Sequence, residues 1–187
     1  KYFGLKFTIL SPTLDKLKIL LKKWEKEQPD SVKLSKQGND YALTLKQHIE
    51  KDKFVEDTAE HNGSSIAMVI SNAEKNLVFL ADAHPTVIVN SLKTLGFSAE
   101  KPLKSELVKI SHHGSKSNNS VEMFKLLKTK KYVISTNGDH HSHPHKQLLA
   151  RLAAVNNNCK IYFNYGKQIE TLFSKQDYID FPKFKPA

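Results

Sequence analysis

The sequence is poor in cysteine, tryptophan, methionine and glycine: one, one, two and seven in 187 residues. A single thiol, Cys159, excludes an internal disulfide and any cysteine-rich zinc site, and it makes the cytoplasm the expected compartment. No apolar run approaches the length of a bilayer span, so no membrane segment is expected. No basic start, apolar stretch and small-residue cleavage site marks a secretory leader. Acidic residues are also scarce beside basic ones, 19 against 29, which leaves a formal charge of +10. That surplus favours contact with a polyanion such as nucleic acid. Lysines spread along the whole chain fit a solubilising surface equally well.

The length suits a single domain, residues 1–187, with a proper hydrophobic core. The chain opens on "KYFGLKFTIL", without an initiator methionine and already inside an apolar run, so a fragment or processed product is expected. "LKFTIL" (5–10) reads as a strand. "TLDKLKILLKKWEKEQ" carries Leu14, Leu17, Leu20, Leu21 and Trp24 at helical spacing behind Thr13 or Ser11 as N-cap, and Pro29 closes it. Residues 30–64 are polar and lysine-rich, a long loop or insertion around one strand at "YALTL".

"SIAMVIS" (65–71) and "LVFLAD" (77–82) predict a hairpin. A helix follows, with Pro85 in its first turn and Gly96 at its stop. "SELVKIS" predicts a strand, "SVEMFKLLKTK" a helix, "KYVIST" a strand and "HKQLLARLAAVNNN" a helix. "KIYFNY" and "IETLF" predict a last pair of strands around Gly166. Strand–helix alternation after an initial hairpin makes the class α/β.

The residues with chemistry to offer share one location. Asp82 ends "LVFLAD"; His112 and His113 follow "LVKIS"; "GDHHSHPH", with His140, His141, His143 and His145, follows "YVIST". Each cluster lies just beyond a predicted buried strand, the edge where ligand-binding loops of α/β sheets converge. Imidazole nitrogen and carboxylate oxygen suit divalent zinc, manganese or iron. A strand-end Asp before Pro85 also suits a helix N-cap, and "HHGSKSNNS" reads as polar and flexible. Pro144 restricts the backbone between His143 and His145, while His140 and His141 read as solvated or supporting residues.

The stretch "NGSSIAMVI…KNLVFLADAH…LVKISHHGSKSNNS…YVISTNGDHHSHPHKQLLARL" resembles the C-terminal half of a metallo-β-lactamase-fold hydrolase. The branch it is most similar to holds the hydrolase domain of ComEC-type DNA-uptake channels and its standalone relatives. The resemblance covers roughly residues 62 to 152 and rests on four motifs in order. It implies an αββα sandwich, of which this chain is the C-terminal half: one mixed sheet with flanking helices.

The resemblance implies a bridging metal ligand at Asp82, in a turn where Ala81 replaces the usual Gly. It implies a last metal-ligand histidine at His143, with His145 as the alternative. His112 and His113 fall where the family contacts the scissile phosphate. Asn62, Ser64 and Ser65 fall where other members carry a further metal-ligand histidine; Asn62 and Ser65 are expected, with Ser115 and Lys116, to contact substrate. The fold's His-x-His-x-Asp-His signature belongs to its N-terminal half and is absent from these residues.

The expectation is therefore a metal-dependent phosphodiesterase or nuclease with two divalent ions, zinc or manganese, and an incomplete site in this chain, inactive without the missing N-terminal half. Lys109, Lys116 and Lys146 would attract a nucleic-acid backbone. The alternatives are a same-fold hydrolase of small esters or lactams, and a degenerate, metal-free domain that binds nucleic acid or protein.

Overall fold

The apolar runs around residues 67–79 pair as the sequence pattern predicts. In the computed structural model, which describes residues 3–26, 38–139 and 141–187, β2 (Ala67–Ser71) and β3 (Asn76–Phe79) form an antiparallel hairpin. Its turn is held by Asn72, whose side-chain oxygen accepts from the backbone of Glu74 and Lys75. β1 (Lys6–Ser11) adds to the outer edge of β2, also antiparallel.

From β3 onward the sheet is parallel. β5 (Leu107–Lys109), β7 (Lys131–Ile134), β8 (Lys160–Phe163) and β9 (Lys185–Pro186) complete seven strands in the order β1-β2-β3-β5-β7-β8-β9. A separate two-stranded parallel ribbon joins β4 (Leu103–Lys104) to β6 (Leu127–Lys128). The molecule is thus α/β with a mixed sheet.

The helices are α1 (Leu14–Trp24), α2 (Leu45–Glu50), α3 (Glu60–Gly63), α4 (Pro85–Thr94), α5 (Val121–Lys125), α6 (Lys146–Val155), α7 (Ile169–Leu172) and α8 (Lys175–Asp180). α4 packs on β1 and α5, α5 on α6, and α6 on α2. This layer buries Ile88, Leu92, Met123, Phe124, Leu148 and Leu152 in one cluster with Val78, Val108, Tyr132, Ile134 and Ile161 of the sheet. Pro85 fills the first position of α4, where no intrahelical N–H bond is lost.

The other sheet face is also apolar, and among the described residues its β1–β3 part lies open. Residues directly opposite each other in a sheet share a face. The row Ile9, Met68, Phe79 runs across β1, β2 and β3, and the row Phe7, Ile70, Leu77, Leu107 runs beside it into β5. Phe7, Ile9 and Phe79 are 48%, 55% and 36% exposed, far from the usual state of large apolar strand residues. α1 has no buried residue at all, and its Leu14, Leu17, Leu21 and Trp24 face solvent.

Three local expectations change. "YALTL" is not a strand: Thr44 and Gln47 form a capping box, and helix α2 starts at Leu45. "IETLF" is not a strand: it becomes α7, and the partner of β8 is instead the C-terminal β9. The "SVEMFKLLKTK" helix stops at Lys125, because Leu126 and Leu127 are both buried and an extended chain there pairs with β4. The end of the first predicted helix, Pro29 and residues 30–37 lie outside the described residues.

Candidate active site

Three loops leave the C-terminal ends of the neighbouring strands β3, β5 and β7, and together they carry the residues singled out above. After β3, Ala81 takes φ +48 and its carbonyl accepts the backbone N–H of His112 at 2.8 Å. Ala81 thus carries a Cβ where the backbone is left-handed, a conformation costing such a residue about 1–2 kcal/mol. After β5, Ser111–Gly114 forms a tight 3-10 turn in which His112 and His113 take φ +44 and +53. After β7, His141 and Ser142 take φ +57 and +52. Five non-glycine residues in the left-handed region at one sheet edge mark a place where packing holds strained backbone.

What holds it is a set of buried polar contacts. Asn119, fully buried, donates through Nδ2 to the carbonyls of Ser111 (2.9 Å) and Ser115 (2.7 Å), clasping both ends of the turn. Arg151 of α6 donates to the carbonyls of Lys116 and Asn119 and forks onto the Asp52 carboxylate. Its guanidinium also lies 5.0 Å from the Phe54 ring centre. Gly114 has φ +90, and a Cβ there would stand 2.5 Å from Cβ of Pro144, so only glycine lets the two histidine-bearing turns meet. The "KSNNS" stretch is thus a buried clasp, not the flexible polar segment expected, because its amides satisfy turn carbonyls that water cannot reach.

The imidazoles converge. Ring centres are 5.1 Å apart for His112 and His143, 6.1 Å for His112 and His113, 5.8 Å for His141 and His143, and 4.8 Å for His143 and His145. His112, His113, His141 and His143 line one pocket of about 440 Å³, with Thr136, Asn164 and Tyr165 on its walls. Burial, reinforced by the neighbouring imidazoles, pushes the His143 pKa down to about 3, so the ring is neutral and its lone pair available at neutral pH. Burial pushes His145 down as well, against the pull of Asp40.

The hydrogen bonds separate the histidine roles. His113 Nδ1 faces the carbonyl oxygen of Ser135 at 2.5 Å, which fixes the proton on Nδ1 and leaves Nε2 as acceptor. His145 Nδ1 accepts from the backbone N–H of Lys116 at 3.2 Å, so its lone pair already ties the two turns together. Between the two metal-ligand candidates in "HPH", His143 is the one facing the pocket. Asp82 lies close enough to Lys109 for its charge to oppose the lowering that burial imposes on that ammonium, and its backbone carbonyl accepts from Asn118 Nδ2 at 3.1 Å.

Of the residues expected to contact substrate, Asn62 sits beside His112, its Nδ2 2.6 Å from Asp57 Oδ2 and 3.4 Å from His112 Nδ1. Ser65 is half-buried just before β2, its N–H bonded to the Asn62 carbonyl. Ser115 is buried, and its hydroxyl accepts from the Ser117 N–H. Lys116 is half-buried and held by both its backbone groups.

Lys146 cannot serve a nucleic-acid backbone. Its side chain is 1% exposed and paired with Asp177 at 2.7 Å, because the residue opens α6 facing inward. His140 lies outside the described residues. His84, passed over in the sequence, is a structural histidine: Nε2 donates to the Ala59 carbonyl and Nδ1 accepts from Lys16.

The sequence reading also missed Asp57 and Asn118. Asp57 lies in a segment without hydrophobic periodicity, and Asn118 is one of many polar residues in its stretch; only their shared contact with His112 sets them apart. Among the described residues, no three or more His, Cys, Asp or Glu side chains are arranged to hold one metal ion. No protein-family model, curated protein or solved structure matches the chain.

Proposed function

We propose that this chain supplies the histidine-bearing part of a metal-dependent hydrolase that acts on phosphodiesters, with zinc or manganese as the ions. The observation that carries the reading is the convergence of His112, His113, His141 and His143 on one pocket beyond β5 and β7, next to the Asp82 turn. The donor chemistry fits a divalent ion: burial keeps His143 neutral, and imidazole nitrogen and carboxylate oxygen are the ligand types such an ion takes. The number does not, since no complete ligand set occurs among the described residues.

The uncovered apolar sheet face supports a source for the remainder. A second layer seated on Phe7, Ile9 and Phe79 would bury that face and bring further ligands to the same sheet edge, as in an αββα sandwich of the metallo-β-lactamase type. In that assembly Asp82 and His143 would hold metal. Bound divalent ions would lower the pKa of a water and polarise the phosphoryl oxygen. His113, its Nδ1 proton tied to Ser135, would first take up a proton at Nε2 and then donate it to the leaving oxygen, and His112 would face that oxygen from the neighbouring position.

A second reading is a metal-free domain that binds nucleic acid, which the charge of +10 favours. Metal analysis of the full-length protein that carries this chain separates the two. Turnover of bis-(p-nitrophenyl) phosphate with manganese or zinc tests the first directly. Asp82→Ala and His143→Ala are each expected to lower turnover by about 100-fold or more. Undiminished turnover in both variants rejects the assignment.

A further inference from the structure

The contacts around His112 define which of its nitrogens can act. Asn118 is fully buried and its Nδ2 donates to two groups that only accept, the Asp57 carboxylate at 2.9 Å and the Asp82 carbonyl at 3.1 Å. That arrangement fixes the amide orientation, with Oδ1 toward His112 Nδ1 at 2.9 Å. An amide oxygen accepts and cannot donate, so the Nδ1 facing it must carry the proton. Asn62 presents an NH2 group at 3.4 Å from the same nitrogen, and its own stronger contact is with Asp57 at 2.6 Å. Asp57 also accepts from the Ala59 N–H at 2.8 Å, and burial, which would raise its pKa, is outweighed by these donors. It is an anion held in place by three hydrogen bonds.

We infer that Asn118, oriented by Asp57, is a positioning residue that keeps a proton on His112 Nδ1 and so turns Nε2 to the histidine-lined pocket as the nitrogen that can offer a lone pair. The relay has a fixed order: carboxylate, amide, imidazole, pocket. It ties residues 57–62 to the site through Asp57, which no motif in the sequence marked. Metal-ligating and base-acting histidines depend on such a partner to set the tautomer, and loss of the partner costs about 10–100-fold in metal affinity. The inference deepens the hydrolase reading in naming what would ready His112 for metal or substrate, while the tautomer itself exists without either.

The experiment is long-range proton–nitrogen NMR of the imidazoles in mildly alkaline solution, with His112→Gln identifying the His112 signals. The expected wild-type result is a protonated, pyrrole-type Nδ1 and a pyridine-type Nε2. Asn118→Leu should shift the population toward Nε2–H, the tautomer favoured by free histidine. A wild-type spectrum with Nε2–H, or an unchanged Nδ1–H tautomer in folded Asn118→Leu, overturns the inference. Should Asn118→Leu fail to fold, the wild-type spectrum still decides, since Nε2–H there overturns the inference.

Addition of zinc chloride to the full-length protein tests the hydrolase reading separately. Movement of His112 Nε2 in the wild type, with about 10–100-fold weaker zinc binding in Asn118→Leu, supports both. An Nδ1–H tautomer with an Nε2 signal that zinc leaves unmoved keeps the positioning role and counts against metal ligation by His112.

Discussion

Gly114 and Pro144 approach so closely that a Cβ on the first would stand 2.5 Å from the Cβ of the second and 3.0 Å from Leu148 Cδ2. The contact joins the "HHGS" turn to the "HPH" turn, and the Gly114 carbonyl accepts the His145 N–H at 3.0 Å across the same seam. Gly114→Ala combines a left-handed backbone with overpacking. It is expected to cost about 2–5 kcal/mol in urea unfolding and to separate the His112 and His143 rings. A variant as stable as the wild type would mean that the two turns are not locked together.

Ala81 is the opposite case. Its φ of +48 suits glycine, and the sequence supplies a Cβ instead. Ala81→Gly removes a left-handed penalty of about 1–2 kcal/mol and returns part of it as unfolded-state entropy, for a net gain of about 0.5–1 kcal/mol in unfolding free energy. A measured loss would place the strain elsewhere in the loop.

Lys146 and Asp177 form an ion pair with side chains 1% and 0% exposed. Asp177 Oδ1 also accepts the Leu45 N–H at 2.6 Å, and its other oxygen takes the Ser174 N–H and hydroxyl. The pair therefore fastens α8, α2 and α6 to one another. Removing one partner leaves an uncompensated buried charge. Asp177→Leu and Lys146→Met are each expected to cost about 3–5 kcal/mol, with the double variant losing less than the sum. Strict additivity in a double-mutant cycle would argue that the charges do not interact.

Acid should weaken the fold through the same carboxylate. Burial pushes the Asp177 pKa up, but the Leu45 N–H, Lys146 and Ser174 outweigh it and hold the group below its ordinary value. For Asp52, burial is likewise outweighed by the Arg151 guanidinium and by Gln147. Each group binds its proton more readily unfolded than folded, so the stability it contributes is complete above the unfolded pKa of about 3.9 and is lost as pH falls through the depressed folded value. Thermal unfolding midpoints should hold level on the mildly acidic side and drop below about pH 4. The drop should be shallower in Asp177→Asn. An equally steep acid limb in that variant would assign it to other groups.

Periodicity carried what is local. The hairpin of β2 and β3, the helix behind Pro85 and the parallel strands β5 and β7 follow from runs whose apolar period and turn residues agree. "YALTL" misled, because the six-residue helix that starts at its Leu45 is set by a capping box and that residue's burial and has too few turns to display a period. "IETLF" misled because its β-branched residues favour a strand, while burial of Leu172 and Phe173 in the core is satisfied by a helix.

The sequence by itself determined that Asp82, His112, His113 and His143 would stand at one sheet edge, since each follows a strand of a parallel set and chain direction fixes which edge those loops share. Tertiary structure alone decided which histidine does what. His145 ties down Lys116, His84 braces α3 through Ala59, and Asn118 and Asp57 dictate the proton on His112. Asn118 apart, these assignments rest on hydrogen-bond partners 25 or more residues away in the chain, and no spacing rule encodes a contact that only folding creates.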